Sequence, residues 1–365
     1  MTAIPTTMKA LVSDADHTAS VHTDVPVPKP SPDEILVRVE AWSLNPTDWK
    51  HIKVVAPPGQ IIGCDFSGTV VAAAAAAGNQ KSSVKVGDRV AGMVHGGKYT
   101  DRGSFAEYVK TDADLVVSLP PAVDSLTGAT VGIAGYTAAQ ALFQRLALEL
   151  PSASATSLPA VDGAKKVLVW AGSTAVGQWA IQLARAAGCY VVTTASPRNH
   201  DLVRDMGAAE VYDYADAATP QTIASKHPDL RLALDCISER GTQSLAVRSL
   251  GASIDSGKVV VLLKPEADAQ ALRPGVVAIE HTLIYTCLGH AFSYGKAAFG
   301  EAQVQADKAF IERFTADGLF AHLWATGQVR GNRLRREGSG LDALVPALAL
   351  LEQGKVSGEK VVLSA

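Results

Sequence analysis

The sequence is short of the features that mark several whole classes of protein. No apolar run reaches the ~20 residues that a bilayer-crossing helix requires, so no membrane span is expected. The opening MTAIPTTMKALVSDADH has no charged region leading into an apolar stretch, and too little arginine for a transit peptide. Neither secretion nor organelle import is therefore expected. Cysteine is scarce: Cys64, Cys189, Cys236 and Cys287 are scattered and none sits in a C-x-x-C pair. Free thiols in a reducing, cytoplasmic setting fit that pattern better than a disulfide framework or a zinc ribbon. There is no excess of positive charge either. Lys and Arg number 33 against 36 Asp and Glu, the net charge is -3 and the pI is near 6.3. No basic field for nucleic acid is expected. What remains, 47% hydrophobic and 19% charged residues over 365 positions, is a globular balance with room for two domains.

The chain is organised around residues 165–187, KKVLVWAGSTAVGQWAIQLARAA. Val167, Leu168, Val169 and Trp170 form an apolar run too short for a buried helix and suited to a parallel strand covered on both faces. Small residues follow without a break (Ala171, Gly172, Ser173, Thr174, Ala175). From Val176 the period turns helical, with Ala180, Leu183 and Ala184 on the same face. Strand, tight turn and helix open a dinucleotide-binding unit. Backbone N–H groups of the turn approach a pyrophosphate, and the helix N-terminus adds the positive end of its dipole. The turn is not a clean G-x-G-x-x-G, and small residues also serve close packing of helix on strand. The alternating elements that follow favour the dinucleotide, and Ser173 and Thr174 add hydroxyl donors.

The end of the second strand selects the cofactor. An Asp or Glu there would hold the ribose hydroxyls of NAD, but the chain reads Ala195-Ser196-Pro197-Arg198-Asn199-His200, with no carboxylate before Asp201. The planar fork of Arg198 matches a 2′-phosphate, and Ser196 and Asn199 add hydrogen bonds, which favours NADPH. The plainer alternative is a solvated loop arginine beside a helix cap.

Around this unit the first third reads as β-rich. Strands are expected at 8–11, at 34–41 and through 63–71, turns into strands at 87–90 and 103–109, and a turn into a short helix at 45–50. Pro26, Pro28, Pro30 and Pro32 mark an extended linker barred from a central sheet. The run 72–77 reads as a strand leaving into a loop at Gly78-Asn79. Many short strands with Gly and Asp turns predict a small β-barrel. Residues 125–150 read as helix in two pieces broken near 132–135, and 151–163 as an exposed loop. Strands at 167–170, 190–194, 210–212, 230–237 and 258–263 alternate with helices starting near Val176, Asn199, Pro220 and Glu239. Five such strands indicate a doubly wound parallel sheet with right-handed crossovers. Residues 281–288 read as a further strand, 303–317 and 341–354 as helices, and 360–364 as a closing strand. The expected fold class is α/β: a β-barrel domain over 1–130, completed by 301–365, and a Rossmann domain over 131–300.

Asn45-Pro46-Thr47-Asp48, Gly63-Cys64-Asp65-Phe66-Ser67-Gly68, Gly87-Asp88-Arg89-Val90 and the closing GKVSGEKVV at 354–362 resemble the medium-chain dehydrogenase/reductase family over nearly the whole chain. The resemblance implies that the barrel is a GroES-like catalytic domain. Zinc-dependent members carry Cys where Asn45 stands, a His-Glu pair where Cys64-Asp65 stands, and a four-Cys lobe in the region 93–104. None of those ligands is present here. Cys64 alone cannot hold a metal needing three or four ligands, so no metal is expected and the hydride chemistry must manage without a Lewis acid.

Among zinc-free members, NPTDWK (45–50), GSTA (172–175), SPRN (196–199), Asp213-Tyr214 and ALDCI (233–237) are similar to the trans-acting enoyl reductases of fungal polyketide synthase clusters. That similarity implies NADPH-dependent reduction of an α,β-unsaturated thioester. The acyl substrate would ride on the acyl carrier domain of a partner polyketide synthase or polyketide synthase–peptide synthetase hybrid. Lys50 is the candidate donor to the developing enolate, the alternatives being a surface lysine or a contact to a cofactor ribose. Thr47 stands where zinc-dependent relatives keep a relay hydroxyl, and otherwise contacts cofactor. Asp48 anchors the turn, and together with Trp49 joins Thr47 and Lys50 among the cofactor contacts. The resemblance adds Ser173, Thr174, Ala175, Val176, Ser196, Pro197, Arg198, Asn199, Leu262, Leu263, Val356 and Ser357, with Tyr214 near the adenine or filling a core edge. Thr137 is a catalytic candidate heading a helix whose Ala138, Ala139, Ala141, Leu142 and Arg145 line an acyl channel or pack closely. Ile284, Tyr285, Thr286, Cys287 and Leu288 face substrate or form a buried strand. His281, His290 and His322 have no spacing for a metal or triad. Two rival functions stand beside this one: a zinc-free reductase of a free quinone or enone, and a non-catalytic NADPH-binding scaffold. The oligomeric expectation is a monomer or homodimer.

Overall fold

A computed structural model describes residues 3–73, 83–294 and 297–365. It divides into two compact units. One comprises the chain up to Ile133 with Tyr285–Ala325 and Gly331–Ala365, the other Ala134–Ile284 with Thr326–Arg330.

The first unit begins with β1 (Thr7–Ser13) paired antiparallel to β2 (Ala19–Pro26). The sequence pattern missed β2. Most of its residues are exposed, so it has no alternating apolar face to betray it, and the proline-marked linker starts only where it ends. Then come β3 (Glu34–Ser43), α1 (Pro46–Lys50), β4 (Asp65–Ala73), β5 (Arg89–Met93), β6 (Tyr108–Asp112), β7 (Val116–Ser118), α2 (Ser125–Gly128) and α3 (Gly132–Ala139), the last crossing into the second unit. Ala72 and Ala73 close β4, while 74–79 lie outside the described residues. The turn into a strand expected at 103–109 is present, and the strand begins at Tyr108. Residues 104–105 are spent on loop carbonyls, Ser104 N–H donating to Gly63 and Phe105 N–H to Ile62 at 2.8 and 2.9 Å.

In the second unit β8 (Lys166–Trp170), α4 (Ala175–Ala186), β9 (Tyr190–Thr194), α5 (His200–Asp205), β10 (Glu210–Tyr212), α6 (Thr219–Lys226), β11 (Leu232–Asp235), α7 (Thr242–Arg248), β12 (Gly257–Val261), α8 (Ala267–Gln270) and β13 (Val277–His281) alternate. The sheet order is β10-β9-β8-β11-β12-β13, parallel throughout. This is the doubly wound arrangement, and chain direction across the sheet reverses between β8 and β11, where such sheets bind ligands. Four of the five residues in each of β8 and β9 are buried, as the unbroken apolar runs demanded. Leu168, Trp170, Val192, Ala233, Val259 and Leu250 meet in the core.

The sheet has a sixth strand, and it corrects the reading of 281–288. The strand is β13, which ends at His281, and Ile284–Leu288 is a 3₁₀ turn. The run of apolar and β-branched residues there reflects burial of a turn. Period alone does not separate that from a strand over so few residues.

The chain then returns to the first unit with β14 (Phe292–Tyr294), β15 (Ala297–Phe299), α9 (Glu301–Ile311), α10 (Leu319–Ala325), β16 (Leu334–Ser339), α11 (Leu344–Glu352) and β17 (Lys360–Ser364). Residues 285–300, read from sequence as part of the cofactor domain, cluster with the barrel because Tyr285 and Phe292 pack on residues of that unit. Its main sheet runs β16-β17-β3-β4-β5-β7, with β6 also on β3. The ten-residue β3 thus anchors N- and C-terminal parts of the chain in one sheet. Trp42, Phe66, Phe105, Leu344 and Leu363 fill the core behind it.

Candidate active site

The second unit carries the dinucleotide cradle. β8 ends at Trp170, and Ala171 takes a left-handed conformation at φ 64°, a strain that non-glycine residues keep mainly where function needs the turn. Its N–H is fixed by Thr194 Oγ1 at 2.9 Å. Thr174 caps α4: its Oγ1 accepts from Gly177 N–H at 3.1 Å and donates to the Ala171 carbonyl at 2.9 Å. Gln178 Nε2 donates to the Ser173 carbonyl at 2.9 Å, so the turn is tied from both sides. Glycine is obligatory at two points. A Cβ on Gly172 would lie 2.1 Å from Thr193 Oγ1, and one on Gly177 would lie 2.5 Å from the Ala171 carbonyl. The missing side chains let helix and strand meet, leaving the N-terminal donors of a twelve-residue helix at the turn. This donor-rich, close-packed turn fits the pyrophosphate of a dinucleotide.

After β9, Ser196 opens a short 3₁₀ turn, Pro197–Asn199, with Arg198 exposed and Asn199 buried. Asp235, at the end of β11, is buried and accepts from the N–H groups of Ile237 and Ser238 and from Thr242 Oγ1 at 3.0, 3.1 and 2.7 Å. Tyr214 and Leu263 are exposed and Leu262 half-buried. Thr137, Ala138, Ala139, Ala141 and Leu142 are all buried. Between them Gln140 accepts a hydrogen bond from Thr282 Oγ1 at 2.6 Å. The Arg145 guanidinium lies 3.8 Å from Glu280, and its carbonyl accepts from Lys258 at 2.9 Å.

The first unit holds a second concentration of polar side chains, built on α1. Asn45 precedes the helix. Its N–H donates to Asp48 Oδ2 at 2.7 Å and its amide donates to Asp65 Oδ2 at 2.8 Å. Asp65 also accepts from Ser43 Oγ at 2.8 Å and from Ile133 N–H at 2.7 Å. Lys360 of β17 lies 3.3 Å from the same carboxylate and donates to Asn45 Oδ1. Asp48 is buried beside this network, and burial first, then the neighbouring Asp65, pushes its carboxyl up to about 7. Its Oδ2 accepts from the Asn45 N–H at the start of α1.

On the other side of α1, Thr47 Oγ1 is 2.8 Å from the Tyr285 hydroxyl and 3.0 Å from His51 Nδ1. Tyr285 in turn lies 3.5 Å from Cys64 Sγ and stacks on His95 with ring centroids 3.7 Å apart, 3° from parallel. Burial lowers the pKa of both histidines and raises that of the Cys64 thiol well above its usual value. Lys50 is half-buried, its ammonium 5.7 Å from the centre of the Trp49 ring. Val356 packs on the barrel core and Ser357 is exposed. Thr286 donates to Asp307 at 2.5 Å, Ile284 and Cys287 are buried, and Leu288 is half-buried.

Sequence reasoning named Thr47 and Tyr285 separately and missed His51, His95 and Lys360. His51 was legible in principle, being one helical turn beyond Thr47. The other two join only through the fold. The donor set does not suit zinc. Asn45 and Asp65 are consumed by each other and by Lys360, and Cys64 has a thiol that burial keeps protonated. No group of three or more His, Cys, Asp or Glu among the described residues is placed to hold a metal ion.

Two family models match: the alcohol dehydrogenase GroES-like domain over residues 31–121 and the zinc-binding dehydrogenase over 175–294. "Trans-enoyl reductase mpsG" of Macrophomina phaseolina is 38% identical, aligned over 99% of each chain. The chain belongs to the medium-chain dehydrogenase/reductase family. "Trans-enoyl reductase caaB" of Aspergillus niger is 37% identical, covering 98% of this chain and 97% of that one. A crystal structure of an alcohol dehydrogenase superfamily protein from Novosphingobium aromaticivorans shares the fold with a TM-score of 0.75 at 23% identity, over 98% of this chain and 99% of that one. Membership makes the chain an oxidoreductase that works with a nicotinamide dinucleotide, which agrees with the cradle at Gly172 and Gly177. One of the matching family models is named for zinc binding, and the described residues bring together no such donor set.

Proposed function

We propose that this chain is an NADPH-dependent trans-acting enoyl reductase. In this reading it reduces the α,β-unsaturated thioester of a polyketide intermediate held on the acyl carrier domain of a partner synthase or synthase–peptide synthetase hybrid. The observation that carries it is the near full-length similarity, at 38% and 37% identity, to two proteins named as trans-enoyl reductases. The first unit then serves as the catalytic domain and the second as the cofactor domain, in a cytoplasmic enzyme.

The turn at Ala171 to Val176 and the helix behind it hold the pyrophosphate, and Ser196, Arg198 and Asn199 receive the 2′-phosphate. When bound, the dinucleotide is the source of hydride for the β-carbon. Negative charge then gathers on the thioester oxygen, where a cation or hydroxyl donor lowers the barrier. Lys50 is assigned that electrostatic role, with Thr47 beside it on α1. Thr137 and the small residues after it are assigned to the acyl chain, together with residues 284–288.

The test is NADPH oxidation with an enoyl-pantetheine thioester, run beside simple quinones and enones. Turnover of the thioester alone supports the proposal. Turnover of quinones alone would assign the chain to free-substrate reduction, and tight NADPH binding without any turnover to a scaffold. Arg198→Ala should weaken NADPH at least tenfold while leaving NADH within about twofold, one charge-assisted phosphate contact being worth roughly 1.5–3 kcal/mol. Equal losses for both cofactors would remove Arg198 from the 2′-phosphate site.

A further inference from the structure

We propose that Ser238 and Gln243 are positioning residues. They lock the loops after β11 and β12 into one platform, which carries Ile237 and Leu263 and serves the nicotinamide half of the cofactor. The inference rests on the NADPH reading above and deepens it.

The two loops leave adjacent parallel strands, paired as far as Asp235 and Val261. Doubly wound sheets take their ligands outside these strand ends, beside the switch between β8 and β11. The close-packed turn follows β8, and Arg198 follows β9. A 2′-phosphate at Arg198 assigns the adenine half to the β9 side of that turn. The ends of β11 and β12 are then left for the nicotinamide half.

What stands there is an apolar pair on a stiff support. Ile237 and Leu263 are 38% and 39% exposed, while Ser238 and Gln243 beside them in the sequence or the fold are buried. Ser238 holds a left-handed φ of 61° and Arg240 one of 57°. Such conformations cost a non-glycine residue free energy and persist where the surroundings over-determine them. Here they do. Asp235 fixes the N–H groups of Ile237 and Ser238. Ser238 Oγ accepts from Leu262 N–H at 2.8 Å and donates to the Asp235 carbonyl at 3.0 Å, so one hydroxyl joins the two loops. Gln243 of α7 repeats the link. Its Nε2 donates to the Ser238 and Lys264 carbonyls at 3.2 and 3.0 Å, and its Oε1 accepts from Glu266 N–H at 2.9 Å. Two carbonyls and one N–H fit only one orientation of that amide. Both loops are therefore held before a ligand arrives, and binding has little left to order.

Equilibrium binding to the full-length protein tests this with two ligands, NADPH and 2′-phospho-ADP-ribose, the same molecule without its nicotinamide. Ser238→Gly suits the left-handed φ, which protects the fold, yet removes the bridging hydroxyl. It should weaken NADPH about fivefold, because the ligand must then order the loops itself, and leave 2′-phospho-ADP-ribose within about twofold. Gln243→Met keeps the side-chain length without the amide and should do the same. A loss shared equally by the two ligands would overturn the proposal, since a merely loosened fold has no preference between them. Unchanged NADPH affinity in both variants would overturn it too. If Ser238→Gly has no cooperative melt, Gln243→Met carries the comparison. A wild type that binds neither ligand would remove the NADPH reading together with this inference, whereas one that binds both, with shared losses in the variants, removes only the platform.

Discussion

Asp48 is buried beside Asp65, whose carboxylate is paired with Lys360. Burial, and then the neighbouring Asp65, push the Asp48 carboxyl up to about 7 from its usual 3.8. The sign of its effect on stability follows. Between about pH 4 and 7 the folded chain binds a proton that the unfolded chain has released. Stability from this group is therefore greatest below 4, declines through that window and stays low above 7. Asp48→Asn should remove the decline, since an amide oxygen can still accept from the Asn45 N–H. Chemical denaturation at several pH values should show the variant gaining on wild type from pH 4 to 7, by on the order of a few kcal/mol, then levelling off. A difference constant with pH would place the titration elsewhere.

Elements matter here chiefly through how closely they approach. The turn before α4 departs from an all-glycine loop at Ser173, Thr174 and Ala175, but Gly172 and Gly177 hold the two positions where a Cβ would strike Thr193 or the Ala171 carbonyl. Gly177→Ala should push α4 off β8, lower stability by ~1–3 kcal/mol as overpacking does, and weaken NADPH binding at least tenfold. Thermal melts with and without NADPH read both effects, and an unshifted midpoint with normal NADPH affinity would show that the helix has slack. At this scale the sequence was most informative. The strands at 190–194, 210–212 and 360–364 lie at their expected residues, and in the first and last of these most residues are buried, which is what their apolar runs require. It was least informative for β2 and for Ile284–Leu288. An exposed edge strand has no apolar face to show, and a buried turn imitates a strand.

At the largest scale, strands far apart in the sequence share one sheet of the first unit. β17 lies between β16 and β3, and Lys360 at its start, 2% exposed, reaches Asn45 and Asp65. Lys360→Met would leave the Asp65 carboxylate buried without its counter-charge, a loss typically of 3–5 kcal/mol. The expected readout is a fall of several degrees in the melting midpoint, with Asp65→Asn in the same chain recovering part of it. A midpoint within one degree of wild type would show that the pair is dispensable.

By itself the sequence determined the order of strands and helices, the close-packed turn at Gly172, the absence of a zinc donor set at Asn45 and Cys64, and the arginine after β9. All are local properties, carried by periodicity, side-chain volume and residue chemistry within a few positions. Only the tertiary structure decided which groups surround Thr47. Tyr285 lies 238 residues away along the chain, yet 2.8 Å away in space, and Lys360 is 315 residues from Asn45. No periodicity encodes those meetings, because they arise from sheet order and from the return of the chain after β13.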